Sequence, residues 1–397
     1  MQVRIDEPLR LWIGMVAAVL GMACTAGAAD IMRSPADAWP MFRGNPNQTG
    51  LVSGELAADL APAWTFTAQE AFSGTAAIVG DLVFAPCQDG SLYAFELKTG
   101  KERWKFAAGE AIKSSPTVRD GVVYFGDSAG KMHALDTATG KERWSFTTDG
   151  EIISGVNFAD DKLVFGSYDG TLYCLKPADG ALDWKFPTAD RIHATPAIVA
   201  GHAVVAGCDG QLHIVKIADG QEAGSVPLAS VSGSSPGVVG ERLFVGTYGN
   251  EFLGIDWSKR EIAWRFADAE RAFPFLASPA TNGEVVVVAG RDKRVRGLDA
   301  GTGKLRWEFP TGGRIDSSPV IVGGTAYVGS GDGDLYALEL ATGKKTWSFE
   351  AGGGITASPA IAGGRLVIGT DAGVLYCFAG KGGHEGESSR GPGKPGD

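Results

Sequence analysis

The chain has 397 residues, 44% of them hydrophobic and 21% charged, with 58 glycines. That is enough apolar material for a large folded core. A net charge of −10 repels phosphate backbones and excludes nucleic acid as an expected partner.

The N-terminus reads as a targeting segment. Arg10 precedes the apolar run "LWIGMVAAVLGMACTAGAAD", and "AGA" at Ala26–Ala28 fits cleavage before Ala29. Residues 1–28 are therefore expected to be a signal peptide, although Asp6 and Glu7 weaken its positive start. Two alternatives stay open. Cys24 can carry a lipid, and the run is long enough to serve as an uncleaved anchor. Residues 29–61 follow as a loose lead-in that can lie across the domain behind it.

From residue 62 the sequence repeats. Trp64, Trp104, Trp144, Trp184, Trp264, Trp307 and Trp347 form a ladder with steps of 40, 40, 40, 80, 43 and 40 residues. The double step passes Gly224, where a Trp is due. One unit contains four short runs: "SSPTV" (Ser114–Val118), "VVYFG" (Val122–Gly126), "KMHALD" (Lys131–Asp136) and "ERWSF" (Glu142–Phe146). They alternate or are β-branched, and Gly, Asp-Gly or Thr-Gly turns separate them. Four strands and their turns use the whole unit, which leaves no room for a helix. A four-stranded antiparallel unit at this period is a propeller blade. Seven full units end at positions 104, 144, 184, 224, 264, 307 and 347, and three further strands follow: "TASPAI", "RLVIG" and "GVLYCF". The orphan "PAWTF" (Pro62–Phe66) supplies the missing fourth. The expectation is an all-β, eight-bladed β-propeller over 62–379, its last blade closed by an N-terminal strand. The Trp ladder is read as structural, each ring packing on a small residue of a neighbouring blade: Ala94, Ala134, Cys174, Gly254, Gly297, Ala337 and Cys377 in register. Residues 380–397, "GKGGHEGESSRGPGKPGD", lack the apolar content for a core and read as a disordered tail.

The unit A-x-D-x-x-x-G-K-x-x-W is complete in Ala134, Asp136, Gly140, Lys141 and Trp144. Three other copies carry one change each, at Glu96, Gly297 or Glu339. It resembles the tryptophan-docking repeat of the pyrroloquinoline-quinone (PQQ) β-propeller superfamily, over about 64–378. "WPMFRGNPNQTG" (Trp39–Gly50) is similar to the lead-in of exported bacterial proteins with these repeats. The resemblance implies one of two kinds of protein. Quinoprotein dehydrogenases hold PQQ and Ca²⁺ over a central funnel. Non-catalytic propellers include the BamB group of outer-membrane assembly lipoproteins. Units held near 40 residues, with no adjacent Cys-Cys pair and no C-x-x-C-H, favour the second kind.

The residues themselves offer little chemistry. The residue before "SS" in each unit should line the channel: Ser73, Lys113, Ile153, His193, Gly233, Leu276, Asp316 and Thr356. Lys113, His193 and Asp316, with Asn157 farther along an inner strand, are weak funnel candidates for a cofactor. Calcium takes six to eight oxygens, and this ring has one carboxylate. No catalytic residue and no metal site is expected; no HExxH, GxSxG or P-loop occurs. His133 and His213 take the Tyr position of "LYA" and read as packing. Cys87, Cys174, Cys208 and Cys377 fall on separate blades, too far apart for disulfides. The blade 5 to 6 connector "ADAERAFPFLASP" is three residues longer than "AAGEAIKSSP". It should bring Arg271, Phe273 and Phe275 to the channel face, as partner anchors or as a plug. The missing Trp at Gly224 should leave blade 4 thinly packed at its outer edge.

The expected function is a non-catalytic interaction scaffold in the periplasm or cell envelope of a bacterium, BamB-like and monomeric. Its partners would be envelope proteins, the outer-membrane assembly machinery among them, and it would touch membrane only through an N-terminal anchor or lipid. The alternatives are a PQQ- and calcium-dependent dehydrogenase and a ligand sensor using the funnel.

Overall fold

A computed structural model describes residues 31–268 and 270–381. The expected signal peptide over 1–28, with Cys24, and nearly all of the expected tail lie outside the described residues. The described chain contains strands and no helix. Eight antiparallel four-stranded blades form a ring. Blade 1 comprises Ala77–Val79, Leu82–Pro86, Ser91–Glu96 and Glu102–Ala107, and the later blades repeat it. The two middle strands of a blade are buried along their centres, and Val122–Gly126 over its whole length, because adjacent blades cover both of their faces. The outermost strand alternates exposed and half-buried residues, as in Glu142–Thr147, because only one of its faces meets a neighbour.

Closure follows the sequence expectation. Leu60–Thr67 pairs antiparallel with Val374–Gly380, setting Trp64 opposite Cys377. The innermost strand of blade 8, Ala360–Ala362, then lies beside that of blade 1. The ring thus ends on a strand from its own beginning and leaves no blade unpaired.

The repeated dozen residues make a joint between blades. Trp144 sits opposite Ala134 on the adjacent strand of its own blade. A Cβ on Gly254 or Gly297 would come within 2.1 or 2.2 Å of Trp264 or Trp307. The small position therefore makes room for the Trp of the same blade, not that of a neighbour as the sequence suggested. The neighbour contributes its Thr-Gly turn. The Trp104 indole N–H donates to the Thr137 carbonyl at 2.9 Å, and its ring covers Gly140, where a Cβ would meet it at 2.7 Å. Gly140 also has φ +70°, so both backbone and space require glycine there. Asp136 holds the turn by accepting from Thr139 N–H at 3.0 Å and from the Arg143 guanidinium at 2.7 Å. The same joint recurs from Trp64 to Leu97, Trp144 to Pro177, Trp184 to Ile217, Trp264 to Ala300 and Trp307 to Leu340. Trp347 has no such joint among the described residues and packs on Phe349 and Phe378.

Gly224 corrects a second expectation. The position equivalent to the turn glycine in blade 5 is Arg260, and a Cβ on Gly224 would meet its Nε at 2.5 Å. The Arg260 side chain fills the place of the missing Trp, so no thin groove is left there.

The lead-in is more ordered than its composition suggests. Ala38–Trp39 pairs with blade 1, and Leu51–Val52 lies parallel to Val320–Val322 of blade 7. Between and before them, backbone carbonyls accept from the innermost strands in turn. Ala36 takes Gly363 of blade 8, Pro40 takes Val118 of blade 2, Pro46 takes Ile198 of blade 4, Asn47 takes Val238 of blade 5, Thr49 takes Thr281 of blade 6 and Gly50 takes Ile321 of blade 7, at 2.7–2.9 Å. At blade 3 the Asn157 amide donates to Pro46 instead, at 2.8 Å. The segment makes one circuit of the axis and satisfies inner-edge N–H groups that a bare ring would leave open. It closes one end of the channel, with Arg43 fully buried and donating to the Pro279 carbonyl. Burial lowers the Arg43 pKa to about 9.

Candidate functional site

The open end of the channel is a polar cup of about 160 Å³ with two tiers and a floor. The upper tier is Ser73, Lys113, Ile153, His193, Gly233, Leu276, Asp316 and Thr356, the eight positions expected from the repeat register. The lower tier, two residues nearer the start of each innermost strand, is Thr75, Ser115, Gly155, Thr195, Ser235, Ser278, Ser318 and Ser358. Phe42 of the lead-in is the lining residue that reaches in from the closed end.

The lower tier is a hydrogen-bonded belt. The backbone N–H of Thr195 donates to Ser235 Oγ, that of Ser235 to Ser278 Oγ, that of Ser278 to Ser318 Oγ and that of Ser318 to Ser358 Oγ, at 2.8–3.0 Å. Gly155 N–H donates to Thr195 Oγ1 at 2.8 Å and Thr75 N–H to Ser115 Oγ at 3.1 Å. Gly155 itself carries no hydroxyl, which interrupts the belt at blade 3. These side chains were overlooked in the sequence because "SSP" reads as the start of a strand. The signal was available, since residues two apart on a strand share a face.

Each upper-tier polar candidate has a partner. Lys113 Nζ lies 3.4 Å from Glu151. His193 Nδ1 is 2.6 Å from the Tyr168 hydroxyl, and burial, helped by the Arg191 charge, lowers its pKa. Burial raises the Tyr168 pKa to about 12. Asp316 is held by Arg291 at 2.7 Å and by Arg314 at 3.3 Å. Asn157 does not join the cup. It is fully buried, and its amide N–H groups donate to Pro46 and Pro196 carbonyls.

These residues do not fit PQQ with calcium. The one carboxylate of the ring is committed to two guanidinium groups, whereas calcium wants several free oxygens. The cup is also polar and well below the roughly 300 Å³ at which cofactor pockets begin.

Beside the cup lies an apolar patch. Among the described residues, three of the six exposed large hydrophobic ones, Val231, Tyr248 and Phe273, lie on adjoining loops of blades 4 to 6. Tyr248 N–H donates to the Val231 carbonyl, and Phe273 N–H donates to the Asn250 side chain. The Tyr248 ring is within 3.4 Å of a Cβ position on Gly233 in the upper tier. Phe273 is 50% exposed and Arg271 is half-buried. Phe275 separates from them. It is 1% exposed and packs with Phe252 and Phe266. It fills the slot that Ile152 and Ile192 fill elsewhere, against Gly246 as they lie against Gly126 and Gly166. It is covered by the blades themselves, neither plugging the channel nor facing outward.

His133 and His213 pack in their blades, each between two carboxylates. His133 contacts Asp127 and Glu142 at 2.9 and 2.8 Å, and His213 contacts Asp209 and Glu222 at 2.9 Å. Where blades 1, 3 and 7 have Tyr bonded to Asp, these two have His. Blade 6 has the fully buried Arg296 with Asp292, Asp268 and Glu308. The position is a polar joint that recurs within the repeat.

Comparison with curated proteins by sequence finds no match. Among solved structures, BamB from Moraxella catarrhalis superposes with a TM-score of 0.69 at 20% identity, over 81% of this chain and 99% of that one. The computationally designed Ika8 protein gives 0.69 at 17%, over 79% and 97%. The quinohemoprotein alcohol dehydrogenase from Comamonas testosteroni gives 0.73 at 13%, over 87% and 81%. At these identities the likenesses establish the eight-bladed fold alone. The family profile described as outer membrane protein assembly factor BamB matches residues 50–154, 150–223 and 209–378, and the chain belongs to that family.

Proposed function

We propose that this protein is an exported, non-catalytic interaction scaffold of the bacterial cell envelope, acting with the machinery that assembles outer-membrane proteins. Residues 1–28 would direct export, and the propeller over 62–379 would present the binding face. The observation that carries this reading is the exposed patch of Val231, Tyr248 and Phe273. Such residues cost free energy in water unless a partner covers them, and aromatic side chains are favoured anchors of protein interfaces. Arg271 beside them adds a charged anchor. Family membership supports the kind of partner. The dehydrogenase reading is disfavoured by the committed Asp316 and the small cup.

The test is capture of envelope proteins by the tagged chain and by Tyr248→Ser/Phe273→Ser. The double variant should melt as the native chain does and lose co-purifying outer-membrane assembly proteins. Capture unchanged by the double variant would remove the patch from this role. Alcohol-dependent dye reduction after addition of PQQ and calcium would overturn the non-catalytic reading.

A further inference from the structure

We infer that the cup binds a small oxyanion, a carboxylate or phosphate group, on the hydroxyl belt with Lys113 above it. This does not depend on the scaffold role. The belt carries seven hydroxyls around one axis, all on residues more than nine-tenths buried. Six of the eight belt joints are made by a backbone N–H donating to the hydroxyl oxygen of the next blade, with Ser115, Thr195, Ser235, Ser278, Ser318 and Ser358 as acceptors. A hydroxyl oxygen that has accepted an N–H keeps its own proton to donate. Among the described residues no belt hydroxyl donates to a protein acceptor. Thr75 goes further: it is 3% exposed, and its hydroxyl has no protein partner of either kind among the described residues.

These hydroxyls line the cup and can donate into it. A ring of such donors is matched by a guest that only accepts, and ionised carboxylates and phosphates are acceptor-only. The N–H dipoles behind the belt point at the hydroxyl oxygens and polarise them in the same sense. A cation is the poorer guest, because lone pairs are already spent on N–H groups and Asp316 is tied to Arg291 and Arg314. Lys113, at the upper tier, supplies the one ammonium group of the cup lining; its partner Glu151 stands 3.4 Å away and is part-exposed. The volume of about 160 Å³ suits acetate or phosphate and is too small for a tricyclic cofactor.

The experiment is calorimetric titration of the purified chain at pH 7 and constant ionic strength. The titrants are sodium acetate, sodium phosphate and calcium chloride. Saturable binding of acetate or phosphate at one site per chain is expected, and which of the two binds more tightly distinguishes a carboxylate guest from a phosphate. Thr75→Val keeps the side-chain shape and should weaken that binding about tenfold, the equivalent of one lost hydrogen bond to a charged group. Lys113→Met should weaken it at least as much. Thr75→Ser, which keeps the hydroxyl, should bind as the native chain does, so a packing defect is separated from a lost donor. No saturable anion binding, anion binding indifferent to both variants, or calcium binding in the anions' place would each overturn the assignment.

Discussion

The Arg260 side chain lies over Gly224 so closely that a Cβ on the glycine would come within 2.5 Å of its Nε. At the other joints a Trp stands at the first position and, in the next blade, a turn glycine at the second, as with Trp104 and Gly140 or Trp184 and Gly220. Here the large and small residues have changed places. Arg260 keeps the turn's left-handed backbone at φ +61° although it is not glycine. Gly224→Trp should therefore be overpacked and destabilise the chain by about 1–3 kcal/mol. Gly224→Trp/Arg260→Gly removes the overlap and should recover that part of the loss, while the backbone of Gly224, at φ +157°, must still adjust to carry a side chain. Chemical denaturation of both variants and of Arg260→Gly gives the coupling, expected at about 1–3 kcal/mol; additive effects would show that the two residues do not share the space.

What was legible in the sequence were the features that recur. The Trp ladder, the eight blades, the closing strand at Trp64 and the upper tier of the cup all follow from one register applied eight times. What was not legible lies off that register. The lead-in circuit is made mostly by backbone carbonyls of Ala36, Pro40, Pro46, Asn47, Thr49 and Gly50, which carry no side-chain signature. Asn157 looked like a funnel residue because its strand faces the axis, yet it serves the closed end. Phe275 was hidden by the longer connector, although the residue before each upper-tier position is Ile in five other blades. Arg260 was hidden because its meaning depends on a partner 36 positions away.

The four cysteines of the propeller are free, with Cys87, Cys174 and Cys377 buried and Cys208 partly so. Burial pushes the Cys87 and Cys174 thiols up to about 12 and Cys377 to about 11, and it raises Cys208 as well. Reaction needs the thiolate. In native protein at pH 8 all four should label slowly, Cys208 first because it is the most exposed. Denatured, unreduced protein lacking residues 1–28 should titrate four thiols. A count of zero would contradict the placement of these residues on separate blades.

Three turn aspartates set an acid limit. Asp136, Asp256 and Asp299 are held at about 2, chiefly by hydrogen bonds from Arg143, Lys259 and Arg306 respectively. Their folded pKa values lie below the ordinary 3.8, so the unfolded chain binds protons first as pH falls. Their contribution is present above about pH 4 and is lost as pH falls through about 2. The melting temperature should drop across that window, and Asp136→Asn/Asp299→Asn should melt lower at pH 6 with a shallower acid slope. Because all three groups are part-exposed, added salt should shrink the difference. An acid slope identical in native chain and variant would assign the limit to other groups.

Trp64 joins two constraints that no other ladder residue combines. Its strand completes blade 8 by pairing with Val374–Gly380, and its indole N–H crosses to the Leu97 carbonyl of blade 1 at 2.8 Å. A Cβ on Gly100 would meet its ring at 2.6 Å, so ring and turn are in full contact. Trp64→Ala should cost about 3 kcal/mol, the low end for such a truncation because the ring is half-buried. Trp104→Ala makes a similar hole within the ring and should cost a similar amount. The two differ in what opens. Losing Trp64 loosens the seam where the chain's two ends meet, so amide exchange should rise first along Val374–Gly380 and Leu60–Thr67. Losing Trp104 should raise exchange between blades 1 and 2 and leave that seam protected. A start at Thr67 removes the closing strand and the lead-in circuit together. It exposes the edge of Val374–Gly380 and the inner-edge N–H groups of several blades. That truncation should yield no cooperative melt, and a melting temperature equal to that of the native chain would show that the ring closes without either segment.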